Sequence, residues 1–372
     1  LLAISQHQLI ASDRVAKREI SERLAEAHAE FIKQFDITFD ATNCDWHWLN
    51  DETQLELCTG RGTSVLSDVC DAAYSQTPTL RSEMLNRFKL TSQGARARRL
   101  LLEAMIEHGD KESLGFEGYG PEMAMYRSVL EATGIHHPNS KSDATYFGPP
   151  ADDVEGNSGL ANAWRTLESQ FNEARSRRVN LNDVYAGLMS PPVGMKVGAI
   201  PVLLTAALLT YRNEIAIYEH GTFVPVLEPP ISERMVRNPA HFDVKHFANS
   251  SGGRLDLLES LADGLEISNL LERHRVSNVL SVVTAVVRRF GALDNYTKRT
   301  QTLHPEWAAF RLALTEAVEP DVLVFESIPR AFGLPSVPAD GDLYEHTDEL
   351  VGKVGEALAG LTATSQQMLL RL

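Results

Sequence analysis

The sequence predicts a mainly α-helical protein, in which a central winged helix-turn-helix and small β-hairpins are set among helical domains. Three observations carry that prediction. Apolar residues recur at steps of three and four over most of the chain. Strict alternation is confined to short stretches around residues 37–57 and 214–224. The order helix, helix, helix, hairpin between residues 158 and 224 is the outline of a winged helix.

Ile20, Leu24, Ala27, Phe31 and Phe35 recur at steps of four, three, four and four, which predicts a helix from Ser12 to about Phe35 with one buried stripe. Ile37, Phe39, Trp46, Trp48, Leu55 and Leu57 then alternate around Asn50-Asp51 and predict a small hairpin. Between Thr63 and Gly134 four helices are expected. Val65, Leu66, Val69, Cys70 and Ala73 share a face; Pro78 stands at a first turn; Ser92 is a cap; Pro121 follows Gly120; Gly109 and Gly134 fit C-caps. Residues 138–157 lose all periodicity and read as a linker.

Ser158 opens a helix with Leu160, Trp164, Leu167, Phe171 and Ala174 on one face; a second helix follows Asn180 or Asn182 and is stopped by Pro191-Pro192-Val193-Gly194. A third, almost wholly apolar helix spans about Val197–Tyr211, ahead of a strand, turn and strand over Glu214–Val224. Glu228–Phe247 is expected to pack against this unit. After the break at Ser250–Gly253 the helical period returns at Val276–Phe290, Pro305–Val318 and from about Leu343. The predicted domains are thus 1–137, helical with a small hairpin; a linker, 138–157; the winged helix, 158–248; and a C-terminal helical region, 249–372.

At 372 residues, with 43% hydrophobic and 23% charged residues, the chain has the composition of a folded globular protein of two or three domains. The longest apolar run, Ile200–Leu209, is about half of a bilayer crossing, so no membrane span is expected. The chain opens on Leu1 and closes on a helical reading at Gln366–Leu372, as expected of a segment of a longer polypeptide. Three cysteines, Cys44, Cys58 and Cys70, fit a reducing compartment, and the cytoplasm is the expected location. A net charge of −15 excludes a uniformly nucleic-acid-coating surface and leaves room for local patches.

Gly60-Arg61-Gly62-Thr63-Ser64 lacks both the spacing and the Lys of a P-loop and reads as a cap to the next helix, with an anion held at that helix N-terminus as the alternative. Cys44 with His47 is one weak metal pair, Cys58 stands alone, and Cys70 reads as core; no metal or cofactor is expected. His136-His137 before Pro138 reads as solvated loop. No nucleophile elbow and no H-E-x-x-H occurs, so no catalytic residue is assigned. The densest basic stretch holds Arg81, Arg87, Lys89, Arg96, Arg98 and Arg99 against Glu83 alone. It reads either as a phosphate or acidic-partner surface or as an exposed helix face balanced by acids elsewhere in the fold. Arg175, Arg177 and Arg178 are placed to complement a helix dipole. The apolar third helix, with Lys196 and Arg212 only at its ends, reads as buried on all sides, which favours an interaction module over a DNA reader.

Leu66–Tyr74, Asn86-Arg87 with Leu90–Gln93, Ala97–Arg99 through Glu103–Met105, and Gly118–Tyr126 resemble strings of the post-ATPase region of large bacterial P-loop proteins of anti-phage defence islands, of the BREX kind. Pro191–Gly194, Ile200–Leu204, Ala216–Glu219, Gly221–Pro225 and Phe325–Pro329 extend the resemblance over about residues 60–335. It implies an ATPase engine elsewhere in the polypeptide and a role in recognising or restricting invading DNA. The expected function is therefore a non-catalytic scaffold or nucleic-acid clamp. The expected partners are other domains of the same polypeptide, DNA, other defence subunits and further copies of the chain. A winged-helix DNA-binding regulator and an enzyme with an unrecognised site are the alternatives.

Overall fold

The computed structural model describes residues 12–40, 46–49, 55–58, 62–138, 144–151, 158–247, 250–265, 278–339 and 343–369. They form mainly helices with small antiparallel sheets, in two compact units, Leu1–Ser75 and Gln76–Leu372.

In the first unit α1 (Arg14–Phe39) starts at Asp13, whose side chain accepts hydrogen bonds from the Val15 and Ala16 amides. A run rich in Ala, Glu and Arg without Gly or Pro carries the helix past its expected end, so Ile37 and Phe39 belong to it and not to the hairpin. The expected buried stripe is not buried: no residue of α1 is, and Phe31 is 63% exposed. The hairpin is shorter than expected, β1 (Trp46–Leu49) pairing antiparallel with β2 (Leu55–Cys58), Trp46 opposite Cys58. Helix α2 (Gly62–Ala73) follows; Cys70 on it is exposed rather than core, as is Leu66.

The second unit opens without the helix expected at Pro78. Leu80 and Leu85 are buried there, Asn86 Nδ2 donates to the Leu80 carbonyl at 2.7 Å, and the segment turns on the Ser82 carbonyl. Tertiary anchoring thus overrides the local signal. Helix α3 (Ser92–His108) is capped by Thr91, one residue before the expected Ser92, with the Gly94 amide donating to Thr91 Oγ1 at 3.1 Å. Helix α4 (Pro121–Tyr126) runs into a wide turn at Arg127–Glu131 and ends before Gly134, at φ +65°. β3 (His136–Pro138) and β4 (Thr145–Phe147) then pair antiparallel, so strand structure enters the expected linker, and His136-His137 lies on a strand rather than a solvated loop.

α5 (Ser158–Glu173) buries Leu160, Trp164, Leu167 and Phe171. β5 (Val179–Asn180) leads into α6 (Leu181–Met189), capped by Asn180, and a cis Pro191-Pro192 bond precedes α7 (Ile200–Thr210). Every α7 residue from Ile200 to Leu208 is buried, as its almost wholly apolar run requires. β6 (Ile215–Glu219) and β7 (Thr222–Val224) form a hairpin around His220-Gly221, both at positive φ, where Gly221 relieves the tighter position. α8 (Pro229–Arg237) follows, and β8 (Phe242–His246) returns to lie between β5 and β6, giving the sheet order β5-β8-β6-β7.

The C-terminal layer holds α9 (Gly253–Gly264), α10 (Val279–Gly291), α11 (Asn295–Arg299) and α12 (Pro305–Thr315). An irregular helical stretch follows through Pro320–Val322, Leu323–Ser327 and Ile328–Ala331, and α13 (Thr347–Leu369) closes the layer. Asn278 caps α10 through a capping box with Ser281. Two apolar clusters make the core. One runs from Leu80 to Val244 and crosses the expected linker; the other gathers Phe247 and the C-terminal helices. Ile215 and Ile217 of β6 belong to the first, Ala216 and Tyr218 to the second, so the period of two makes the sheet a wall shared by both. Among the described residues no helix is long and apolar enough to cross a membrane.

Candidate nucleic-acid interface

The six basic residues singled out in the sequence fall on one loop and one helix. Arg81, Arg87 and Lys89 stand exposed on the loop before α3, held by the buried Ser82 and Leu85 and the half-buried Leu90. Phe88, between two of these cations, is 92% exposed. Sequence periodicity had no reason to mark it, because a single aromatic outside any periodic run carries no pattern. Its flanking cations were the available signal.

Arg96 and Arg99 are exposed on α3, while Arg98 is half-buried. Arg98 Nη1 donates to the Gly198 carbonyl at 3.1 Å, a tie made possible because Gly198 lets the chain pass close to Leu85; a Cβ there would lie 2.5 Å from the Leu85 carbonyl oxygen. Burial lowers the Arg98 pKa, and it pushes the phenol of the nearby Tyr185 up to about 12. Arg98 is therefore committed to packing α3 onto α7. Arg87 pairs with Glu83 on the loop at 2.7 Å and Arg99 with Glu103 one turn along α3 at 2.8 Å, at positions open to solvent where such pairs are worth little and exchange readily.

Helix α3 packs on α4, α7 and α8. Between α3 and α8 lies a cleft of about 310 Å³ rimmed by Arg96, Arg98, Arg99 and Arg237, with Glu103 and Glu233 as the acids. Arg237 pairs with Glu233 at 2.5 Å. From sequence the Arg237 segment is expected only to pack against the winged helix, since nothing local signals that α8 returns beside α3. The first turn of α3 carries no acid, so its exposed amide dipoles add to the positive potential of the neighbouring cations.

Other charged groups serve the fold. Arg178 lies over the Tyr218 ring, 3.8 Å from its centroid, and pairs with Glu319; Tyr218 donates to Glu319 at 2.8 Å and Lys245 at 3.0 Å. Burial alone would raise the Glu319 pKa, but these three donors hold it below the usual glutamate value. Arg178 thus does more than complement a helix dipole: it ties the sheet to the C-terminal layer. Arg175 Nε donates to His246 Nδ1 at 3.3 Å, and Arg177 pairs with Glu173. Buried His136 bridges the Tyr126 hydroxyl and the Gly109 carbonyl, each at 3.0 Å. Among the described residues no three His, Cys, Asp or Glu gather as a metal site; the Gly60-Arg61 part of the phosphate-loop candidate and the Cys44, His47 and Cys58 side chains lie outside the described residues. Comparison of the chain with protein-family models, with curated proteins and with solved structures returns no match.

Proposed function

We propose that this chain is a non-catalytic scaffold and nucleic-acid-clamp region of a large bacterial anti-phage defence ATPase, acting in the cytoplasm, with its nucleic-acid face on the loop and helix from Arg81 to Arg99. The observation that carries this reading is Phe88, 92% exposed between Arg87 and Lys89 in a chain of net charge −15. An exposed ring flanked by cations is the pairing that holds single strands, with phosphates on the cations and an unstacked base on the ring. Arg96, Arg99 and Arg237 carry positive charge along α3 and the cleft beside it, and Arg81 stands exposed on the same loop as Phe88. The defence-ATPase setting rests on the motif strings of residues 60–335, and with it the partners: the rest of the polypeptide, other defence subunits and DNA.

The order helix, strand, helix, helix, strand, with β8 returning between β5 and β6, supports reading residues 158–248 as a winged helix whose wing is enlarged by β7 and α8. Helix α7, at the position that would enter a major groove, is buried from Ile200 to Leu208, which favours a packing module over a base reader.

The test is fluorescence anisotropy of labelled single-stranded and duplex DNA with the chain and with Phe88→Ala. Loss of one stacking platform costs about 1–3 kcal/mol, or roughly 5- to 150-fold in affinity, for single strands, and much less for a duplex whose bases are already stacked. Single-strand binding that is unaffected by Phe88→Ala, or no binding at low salt, contradicts the reading.

A further inference from the structure

Helix α1 is 26 residues long and buries none of them. Its apolar residues are not scattered. Ile20, Leu24, Ala27 and Phe31 step by four, three and four, the d and a spacing of a heptad, and the rings of Phe31, Phe35 and Phe39 follow one another along the helix, tilted to each other, with centroids 6.1 and 4.6 Å apart. Phe31, Phe35 and Phe39 are 63%, 48% and 64% exposed. Helices draw most of their stability from covering such a stripe, and an uncovered row of phenylalanines marks a contact surface.

The charges say what covers it. Residues 14–25 carry four cations against two acids, and residues 26–39 three acids against one cation. We infer that α1 pairs antiparallel with α1 of a second copy of this chain. Antiparallel pairing lays the basic half of each helix against the acidic half of the other, whereas a parallel pair sets like halves side by side. The heptad fixes the register: Leu24 meets Ala27 of the second copy, and Ile20 meets Phe31. Arg23 and Glu30 then occupy the flanking positions that face each other across an antiparallel seam, so two Arg23–Glu30 pairs bracket the apolar layers. In the structure Arg23 pairs with Glu19 at 2.8 Å and Glu30 accepts from Gln34 at 2.8 Å, exposed contacts that such pairing exchanges at little cost.

Sedimentation equilibrium of the 372-residue chain over a concentration series tests this. A reversible dimer is expected, and Phe31→Asp, which sets a charge into the seam, raises its dissociation constant roughly tenfold or more. Arg23→Glu and Glu30→Arg each weaken the dimer, and the double variant restores it, because only the antiparallel register joins these two positions. A monomer at every concentration overturns the inference. So does a dimer indifferent to Phe31→Asp, or a double variant no better than the single ones.

Discussion

His136 shows how a single side chain sets a pH limit on the fold. Its Nε2 faces the Gly109 carbonyl, so that nitrogen carries the proton, and Nδ1 accepts from the Tyr126 hydroxyl. Burial lowers its pKa from the ordinary 6.5. The unfolded chain therefore takes up a proton that the folded chain refuses. The contribution to stability is complete above pH about 6.5 and is lost as pH falls through that value toward the lowered folded one. Chemical denaturation across pH 5–8 is expected to show this loss, and His136→Gln to flatten it; equal slopes in both would contradict the assignment. Glu319 is the second such residue. Glu319→Gln leaves Arg178 and Lys245 without their acid and is expected to cost about 1–3 kcal/mol in urea denaturation. Because the folded Glu319 pKa is lowered, its contribution is present above the usual glutamate value and lost as pH falls from there through the lowered folded one. Neither role is legible in sequence. His136 needs Gly109 and Tyr126 brought to it, and Glu319 meets partners 141, 101 and 74 residues away. Cys70 shows the opposite failure, an apolar period that placed it in a core it does not enter.

Elements were legible where the pattern is their own cause. Helix α7 is almost wholly apolar and is buried from Ile200 to Leu208, and Asn180 starts α6 by a local hydrogen bond. The β6–β7 hairpin follows from its alternation and the His220-Gly221 turn. The helix expected at Pro78 fails because Leu80 and Leu85 are pinned into the core by distant elements, information that no window around Pro78 contains. For α1 the period shows a helix, but not what covers the stripe. Packing between elements makes its own prediction at Gly360, where α13 crosses α12 and an added Cβ would overlap the Trp307 ring. Alanine is the better helix former by about 1 kcal/mol, yet overpacking costs about 1–3 kcal/mol, so Gly360→Ala is expected to lower the melting temperature. A raised melting temperature would show that the two helices part freely.

At the scale of the whole molecule, both apolar clusters lie within Gln76–Leu372 and share the β5-β8-β6-β7 sheet as a common wall. A fragment of residues 76–372 is therefore expected to unfold in a cooperative transition at close to the melting temperature of the second unit in the full chain, measured by near-UV circular dichroism; a fragment without near-UV signal would contradict this. The candidate interface was half legible. Its cations stand out against an acidic chain, but Phe88 and Arg237 join them only through a loop pinned by Leu85 and a helix returned beside α3. If the proposed face meets a phosphate backbone, single-strand binding by the chain must depend on salt. Affinity is predicted to fall linearly on logarithmic axes as salt rises, and the variant with Arg81, Arg87, Lys89, Arg96 and Arg99 changed to Ala to lose slope by roughly 0.7 for each phosphate contact removed. Equal slopes for the two proteins, or no binding by the wild-type chain at low salt, would contradict the claim.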